Sequence, residues 1–214
     1  MSGAPPYRYL RDPDVIYRAS FAAIAREAEL ALVAPELRPI ALRVAHAAGD
    51  AALVAGLVAS PGAAAAGQAA LAAGAPILAD SAMVVAGIAA SRFPAGNRVL
   101  ATIGDGEVPA LAQRLGTTRA AAAVELWRPF LAGAVVVIGN APTALFHLLE
   151  MIAAGAAMPA LVLGFPVGFI GAAEAKAALA DNPFALPHVT LLGRRGGSGL
   201  AAAAVNALAL GVPG

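Results

Sequence analysis

The sequence predicts an α/β protein of three layers, α/β/α, built on a Rossmann-like parallel sheet of about five strands with a helical N-terminal portion. Three observations carry this. Five short apolar runs, at 75–79, 98–103, 134–138, 160–163 and 189–192, are each followed by a turn and then a helix-length pattern. Such alternation is how a parallel sheet covered by helices is written. The central three runs are rich in Val, Ile and Leu without polar alternation, as expected of strands that meet water on neither face. The first 73 residues lack this rhythm and read as helices packed on the sheet. A chain of 214 residues is about one domain's worth, so 1–214 is expected to fold as a single domain.

Asp12-Pro13 reads as an N-cap followed by proline at the first helical position, opening a helix that carries Ile16, Phe21, Ile24, Ala28 and Leu30. Further helices are expected at 39–48 and 62–73. After the first strand, Asp80 precedes a helix at 81–90. The second strand is followed by helices at 108–115 and 119–131, the third by 143–153, the fourth by 172–180 and the last by 199–210. The alanine runs at 63–66, 120–123 and 201–204 serve as helix filler, since alanine has the highest helix propensity.

Composition excludes several classes. Hydrophobic residues make up 60% and charged residues 13%, which a disordered chain cannot sustain. The formal net charge is +1, from 14 basic and 13 acidic residues. No nucleic-acid partner is expected, because that needs a basic excess. Without cysteine there is no disulfide, thiolate metal site or thiol nucleophile. The stretches 51–79, 129–149 and 151–173 carry no Asp, Glu, Lys or Arg and are long enough to span a bilayer. Each is broken, the first by Ser60-Pro61-Gly62, the second by Gly139-Asn140-Ala141-Pro142-Thr143, the third by Gly155, Pro159, Gly164, Pro166, Gly168 and Gly171. Those breaks would free backbone groups that lipid cannot satisfy. Residues 1–11 show no apolar signal-peptide core. A cytoplasmic protein with no membrane partner is expected.

In an open parallel sheet, ligands bind beyond the carboxyl ends of the strands. Three strand ends run into glycine-rich loops, 139–143, 164–171 and 193–199, each opening a helix whose free N–H groups favour an anion. The last also holds Arg194 and Arg195. Together they describe a crevice for a ligand with several carboxylates or phosphates; singly, each also reads as an ordinary turn using glycine for positive φ. None is a P-loop or a dinucleotide fingerprint. The three histidines, His46, His147 and His188, have no metal-ligand spacing, so no metal is expected. His147 reads as a helix-packing residue and His188 as peripheral. Arg43, His46 and Asp50 lie at steps of three and four, which a helix puts on one face. They could bind an anion and move a proton, or form a solvated charged face.

The sequence resembles the precorrin-8X methylmutase (precorrin isomerase) family of cobalamin biosynthesis. The resemblance runs through Tyr9-Leu10-Arg11-Asp12-Pro13, Ile16-Tyr17-Arg18-Ala19-Ser20-Phe21, Arg43-Val44-Ala45-His46-Ala47, Gly74-Ala75-Pro76-Ile77 and Thr118-Arg119-Ala120-Ala121-Ala122. It is strongest at Ile138-Gly139-Asn140-Ala141-Pro142-Thr143-Ala144-Leu145-Phe146, at 166–174, and at Gly193-Arg194-Arg195-Gly196-Gly197-Ser198. It implies an isomerase that moves a methyl group from carbon 11 to carbon 12 of the corrin ring of precorrin-8X, or of cobalt-precorrin-8, giving hydrogenobyrinate or cobyrinate. It further implies no external cofactor and a homodimer with shared active sites. His46 aligns with the family's histidine, a proton donor or acceptor at a ring nitrogen. Ser20, Arg43 and Arg119 are expected to bind substrate, as are Asn140 and Thr143. Arg194, Arg195, Gly196, Gly197 and Ser198 complete the expected binding set. Asp50, one turn on and not assigned to the family's motif, is expected from its charge to favour protonated His46. Ala48 and Ala79 stand where relatives often carry cysteine; Ala120 and Gly199-Leu200 also depart from the pattern. None removes a proposed catalytic group. A tetrapyrrole-binding carrier without turnover is the alternative reading.

Overall fold

The computed structural model describes residues 7–212. Helix α1 spans Pro13–Glu27. The Asp12 carboxylate accepts the N–H groups of Asp14 at 2.9 Å and Val15 at 3.2 Å, the capping that the Asp-Pro pair predicts. The helix stops before the expected Ala28 and Leu30, because Ala28 turns extended and Leu30–Leu32 forms a separate short turn. Helix α2, Arg38–Ala48, ends at Gly49, whose φ of +65° is the left-handed C-cap that glycine adopts without strain.

The elements that follow are β1 (Leu57–Ala59), α3 (Ala63–Ala72), β2 (Ile77–Ala79), α4 (Ala82–Gly87) and β3 (Val99–Ala101). Then come α5 (Val108–Leu115), α6 (Arg119–Glu125), β4 (Val135–Ile138), α7 (Pro142–Ala153) and β5 (Leu161–Gly164). The chain closes with α8 (Ala172–Ala180), β6 (His188–Leu191) and α9 (Ser198–Leu210). No helix among the described residues is long and apolar enough to cross a membrane; the uncharged stretches are divided among these short elements.

The sheet has six strands in the order β1-β6-β5-β4-β2-β3. The five expected strands are all present and mutually parallel. The sixth, β1, was not expected. It is an antiparallel edge strand pairing Leu57 with Leu191 and Ala59 with Val189. Three residues carry no periodicity of their own, so only the long-range pairing with β6 makes this segment a strand. Between β2 and β4 the order of connection reverses, which is the position where open sheets form their crevice.

Alternate strand residues face opposite layers. Ile77, Val135, Val137, Leu161 and Leu163 join a core with Leu71, Val205 and Leu208 of α3 and α9. Leu78, Val136, Ile138 and Val162 join a second core with Val124, Trp127, Leu145, Leu148 and Leu179, beneath α6, α7 and α8. Helix α2 packs outside α9, and α1 packs on α2. That is the expected helical N-terminal portion. Of α1 only Phe21 is buried.

Candidate functional site

Four loops converge at the carboxyl edge of the sheet. The loop after β4 meets the end of β2 through Asp80, which is almost wholly buried. Its carboxylate accepts the backbone N–H groups of Gly139 at 3.0 Å, Asn140 at 2.8 Å and Ala141 at 2.8 Å. Burial pushes the Asp80 carboxyl up, and the three N–H donors oppose this. The anion expected at the N-terminus of α7 is therefore an internal one. The N–H groups of these three residues are already taken, so what the loop can donate to a ligand comes chiefly from its side chains. Asn140 and Thr143 are exposed. The Thr143 hydroxyl lies 2.8 Å from that of Thr118, which caps α6 by accepting the Ala121 N–H. Arg119 is exposed next to this pair and donates to the Ile103 carbonyl at 3.3 Å.

The loop after β6 lies against the loop after β5. Gly197 donates its N–H to the Phe165 carbonyl at 2.8 Å, and Gly168 donates to the Arg194 carbonyl at 3.3 Å. A Cβ on Gly196 would overlap the carbonyl oxygens of Phe165 and Pro166, so only glycine permits this approach. The Arg194 guanidinium stands 5.7 Å from the centroid of Phe169, within cation–π range. Beneath the loop, the fully buried Lys176 donates to the Arg195 carbonyl at 2.5 Å. Burial pushes its ammonium down to about 8. The Ser198 hydroxyl is 3.3 Å from that of Ser81, the N-cap of α4.

His46 sits in the last turn of α2 and is half-buried. Its Nδ1 is 2.9 Å from the Ser20 hydroxyl. Its ring stacks on Phe21 with centroids 5.0 Å apart and meets Tyr17 at 5.2 Å. Tyr17, Ser20 and Phe21 are three and four apart on α1, so one helix face supplies all three. The Ser20 hydroxyl fixes the ring's orientation. Among the described residues no protein group bonds Nε2, which leaves that nitrogen open to a ligand.

The expected face of Arg43, His46 and Asp50 is not formed, since Gly49 ends the helix before Asp50. Asp50 instead accepts the Ala52 N–H at 2.9 Å and pairs with the Arg195 guanidinium. That pairing holds its carboxyl below the usual carboxylate range. Asp50 thus serves the arginine loop rather than His46, and it ties the end of α2 to the rim. Arg43 donates its Nε–H to the Gly211 carbonyl at 2.5 Å, fastening α2 to the end of α9.

His147 is a packing residue as expected, its Nε2 lying 2.7 Å from Glu125, which also pairs with Arg128 at 2.5 Å. His188 is not peripheral. It is buried, with Nδ1 at 2.9 Å from the Leu186 carbonyl, because β6 is covered by β1 and by the loop before it. Among the described residues no group of three or more His, Asp and Glu converges as a metal site would require. Sequence reasoning did not single out Tyr17, Asp80 and Lys176, which the structure sets against His46 and the strand-end loops. The signals were faint: a carboxylate at the end of an all-apolar strand, and the single lysine among 14 basic residues.

Comparison with known proteins bears on all of this. The family model described as Precorrin-8X methylmutase matches residues 15–210. The Precorrin-8X methylmutase of Pseudomonas aeruginosa is 60% identical over 201 residues, covering 94% of this chain and 97% of that protein. One from Sinorhizobium sp is 51% identical over 205 residues, covering 96% and 98%. A crystal structure of the precorrin-8X methylmutase from Thermus thermophilus superposes with a TM-score of 0.83 at 40% identity, covering 93% of this chain and 98% of that one.

Proposed function

The chain belongs to the precorrin-8X methylmutase family and is an isomerase of cobalamin biosynthesis; from this premise we propose that it moves the methyl group on carbon 11 of the corrin ring of precorrin-8X, or of cobalt-precorrin-8, to carbon 12, giving hydrogenobyrinate or cobyrinate, with His46 as the proton donor or acceptor. The single observation that carries the role of His46 is its setting. The imidazole is oriented by Ser20 through Nδ1, backed by Phe21 and Tyr17, and left with Nε2 unbonded by any described group.

The reaction asks little covalent chemistry of the protein. In a 1,5-sigmatropic shift the bond from the methyl carbon to C11 breaks as the bond to C12 forms. The ring's conjugated electrons redistribute, and no oxidant or co-reactant is consumed. What remains is to select the reactive tautomer and to hold the ring still. His46 Nε2 does the first by giving a proton to, or taking one from, a ring nitrogen. The rim does the second. Arg119, Arg194 and Arg195 present guanidinium groups at the carboxyl edge of the sheet, matched to the acetate and propionate arms of the ring. Asn140 and Thr143 add neutral donors, Gly196 and Gly197 let the arginine loop close on the loop after β5, and Ser198 adds a hydroxyl beside that of Ser81. Ser20 and Arg43 complete the set near His46.

Purified protein mixed with precorrin-8X is expected to change its visible spectrum to that of an orange product. An unchanged spectrum with the ring retained would make the protein a carrier instead.

We further place the enzyme in the cytoplasm as a homodimer with shared active sites. Supporting the homodimer, α1 and the segment before it expose Tyr9, Leu10, Val15, Ile16 and Tyr17, and the loop after β5 exposes Phe169 and Ile170 at 82% and 88%. Clusters of this kind on a soluble chain mark a surface that is covered in use. Sedimentation is expected to give twice the 21.0 kDa chain mass, and Ile16→Asp is expected to shift the protein toward monomer and lower kcat/KM. A wild-type protein that sediments as one chain would remove the shared site.

A further inference from the structure

We propose that Lys176 is a positioning residue for substrate binding: from inside the molecule its ammonium holds the Arg195 carbonyl, and with it the arginine loop, in the form that grips substrate carboxylates. This rests on the assignment of Arg194 and Arg195 to those carboxylates. Lys176 is the only lysine in the sequence, and its side chain is fully buried. It lies on α8 between Ala172, Ala175 and Leu179, all of them buried. Among the described residues the one bond recorded for its Nζ is to the Arg195 carbonyl, at 2.5 Å.

A buried ammonium with one carbonyl partner is costly, and an apolar side chain of the same length would be easier to fold around. Its placement therefore asks for a reason other than stability. The loop supplies one. Arg194 and Arg195 are consecutive, and both of their carbonyls are drawn inward, one to the Gly168 N–H at 3.3 Å and the other to Lys176. With both carbonyls committed, the side chains project to the surface, where Arg194 lies over Phe169 and Arg195 meets Asp50. Lys176 fixes the backbone from beneath while these contacts steady the guanidinium groups from above. The ammonium also adds a positive charge, shielded from water, directly under the place where anionic groups dock. Lysine suits this task where arginine would not. Its compact head fits at the end of a four-carbon stem, whereas a guanidinium would bring five donors into a space that offers one acceptor.

The test is the steady-state kinetics and the folding of Lys176→Met, which keeps the stem and removes the charge and the donor. KM for precorrin-8X is expected to rise about tenfold, the scale of one charge-assisted hydrogen bond, with kcat changed less than about twofold. The thermal midpoint is expected to hold or rise, because a buried charge has been removed. A purely structural lysine would instead lower the midpoint and cut kcat and the folded fraction together, and that result overturns the proposal. So does an unchanged KM. Should Lys176→Met fail to accumulate, Lys176→Leu also removes the charge and the donor, and the affinity for hydrogenobyrinate can be read by titration; unchanged affinity there also overturns it. Arg194→Ala and Arg195→Ala separate the premise from the inference. If they leave KM unaltered, the carboxylate assignment fails and the inference with it. If they raise KM while Lys176→Met does not, only the inference fails.

Discussion

His46→Ala and His46→Asn are expected to lose turnover of precorrin-8X by on the order of 10²–10⁴-fold, the usual worth of a positioned general acid–base group. The fold should be retained. His46 is half-buried at the end of α2, while the contacts that hold this helix come from Ile40, Ala41, Val44 and Ala45. Binding of hydrogenobyrinate should survive as well, because Arg119, Arg194 and Arg195 lie on other elements and the change leaves Arg43, one turn earlier on α2, in place. The asparagine variant is the sharper of the two. It offers an N–H and an acceptor of similar reach but cannot change its charge near neutral pH, so it tests proton movement rather than hydrogen bonding. Ser20→Ala is expected to cost less, about tenfold in kcat, since it frees the ring to turn without removing it. Stopped or steady-state absorbance at the product's band checks all three. Turnover at the wild-type rate in His46→Ala would remove this residue from the mechanism.

Asp80→Ala is expected to destabilise the protein by about 3–5 kcal/mol, the scale on which a buried charged acceptor with several donors is lost. Three N–H groups, of Gly139, Asn140 and Ala141, would be left without their acceptor at the sheet's switch point. Against a typical total of roughly 5–15 kcal/mol, this is enough to lower the urea midpoint clearly and to populate unfolded chain on warming. Asp80→Asn should be milder but not silent, because one of its two heavy atoms becomes a donor aimed at donors. A midpoint unchanged in Asp80→Ala would show that water or a rearranged loop replaces the carboxylate at no cost. Activity should fall with stability, since the same loop carries Asn140 and Thr143.

These two residues show what a sequence can and cannot tell. The parallel strands β2, β4 and β5 are legible because they are unbroken apolar runs buried on both faces, whereas β3, half-buried at the sheet edge rather than covered as expected, and β6, with His188 and Thr190, are legible mainly from their alternation with helices. β1 is not legible, since Leu57-Val58-Ala59 becomes a strand only by pairing with residues 189–191. The helix at 119–131 is shorter than its alanines promise. It ends at Glu125, and Trp127 turns into the core ahead of Pro129. At the site, His46 is legible from its sequence block and its helical setting. The separation of Asp50 from it was not expected, although Gly49 is a visible stop signal that moves Asp50 off the helix face. The role of Asp80 is fixed by a loop 59 to 61 residues further along. No local pattern encodes that distance. Glycine-rich strand ends mark where backbone approaches backbone, as Gly196 does against Phe165 and Pro166. Whether the amides so gathered face outward or are consumed internally depends on the tertiary structure.

The solitary lysine has one practical consequence. Apart from the α-amino group, every primary amine that an acylating reagent could find in this chain is a single nitrogen sealed beneath residues 193–197. Under native conditions its labelling rate therefore measures how often that cover lifts, and ligand occupancy would be read as a slowing of one chemical event at one atom.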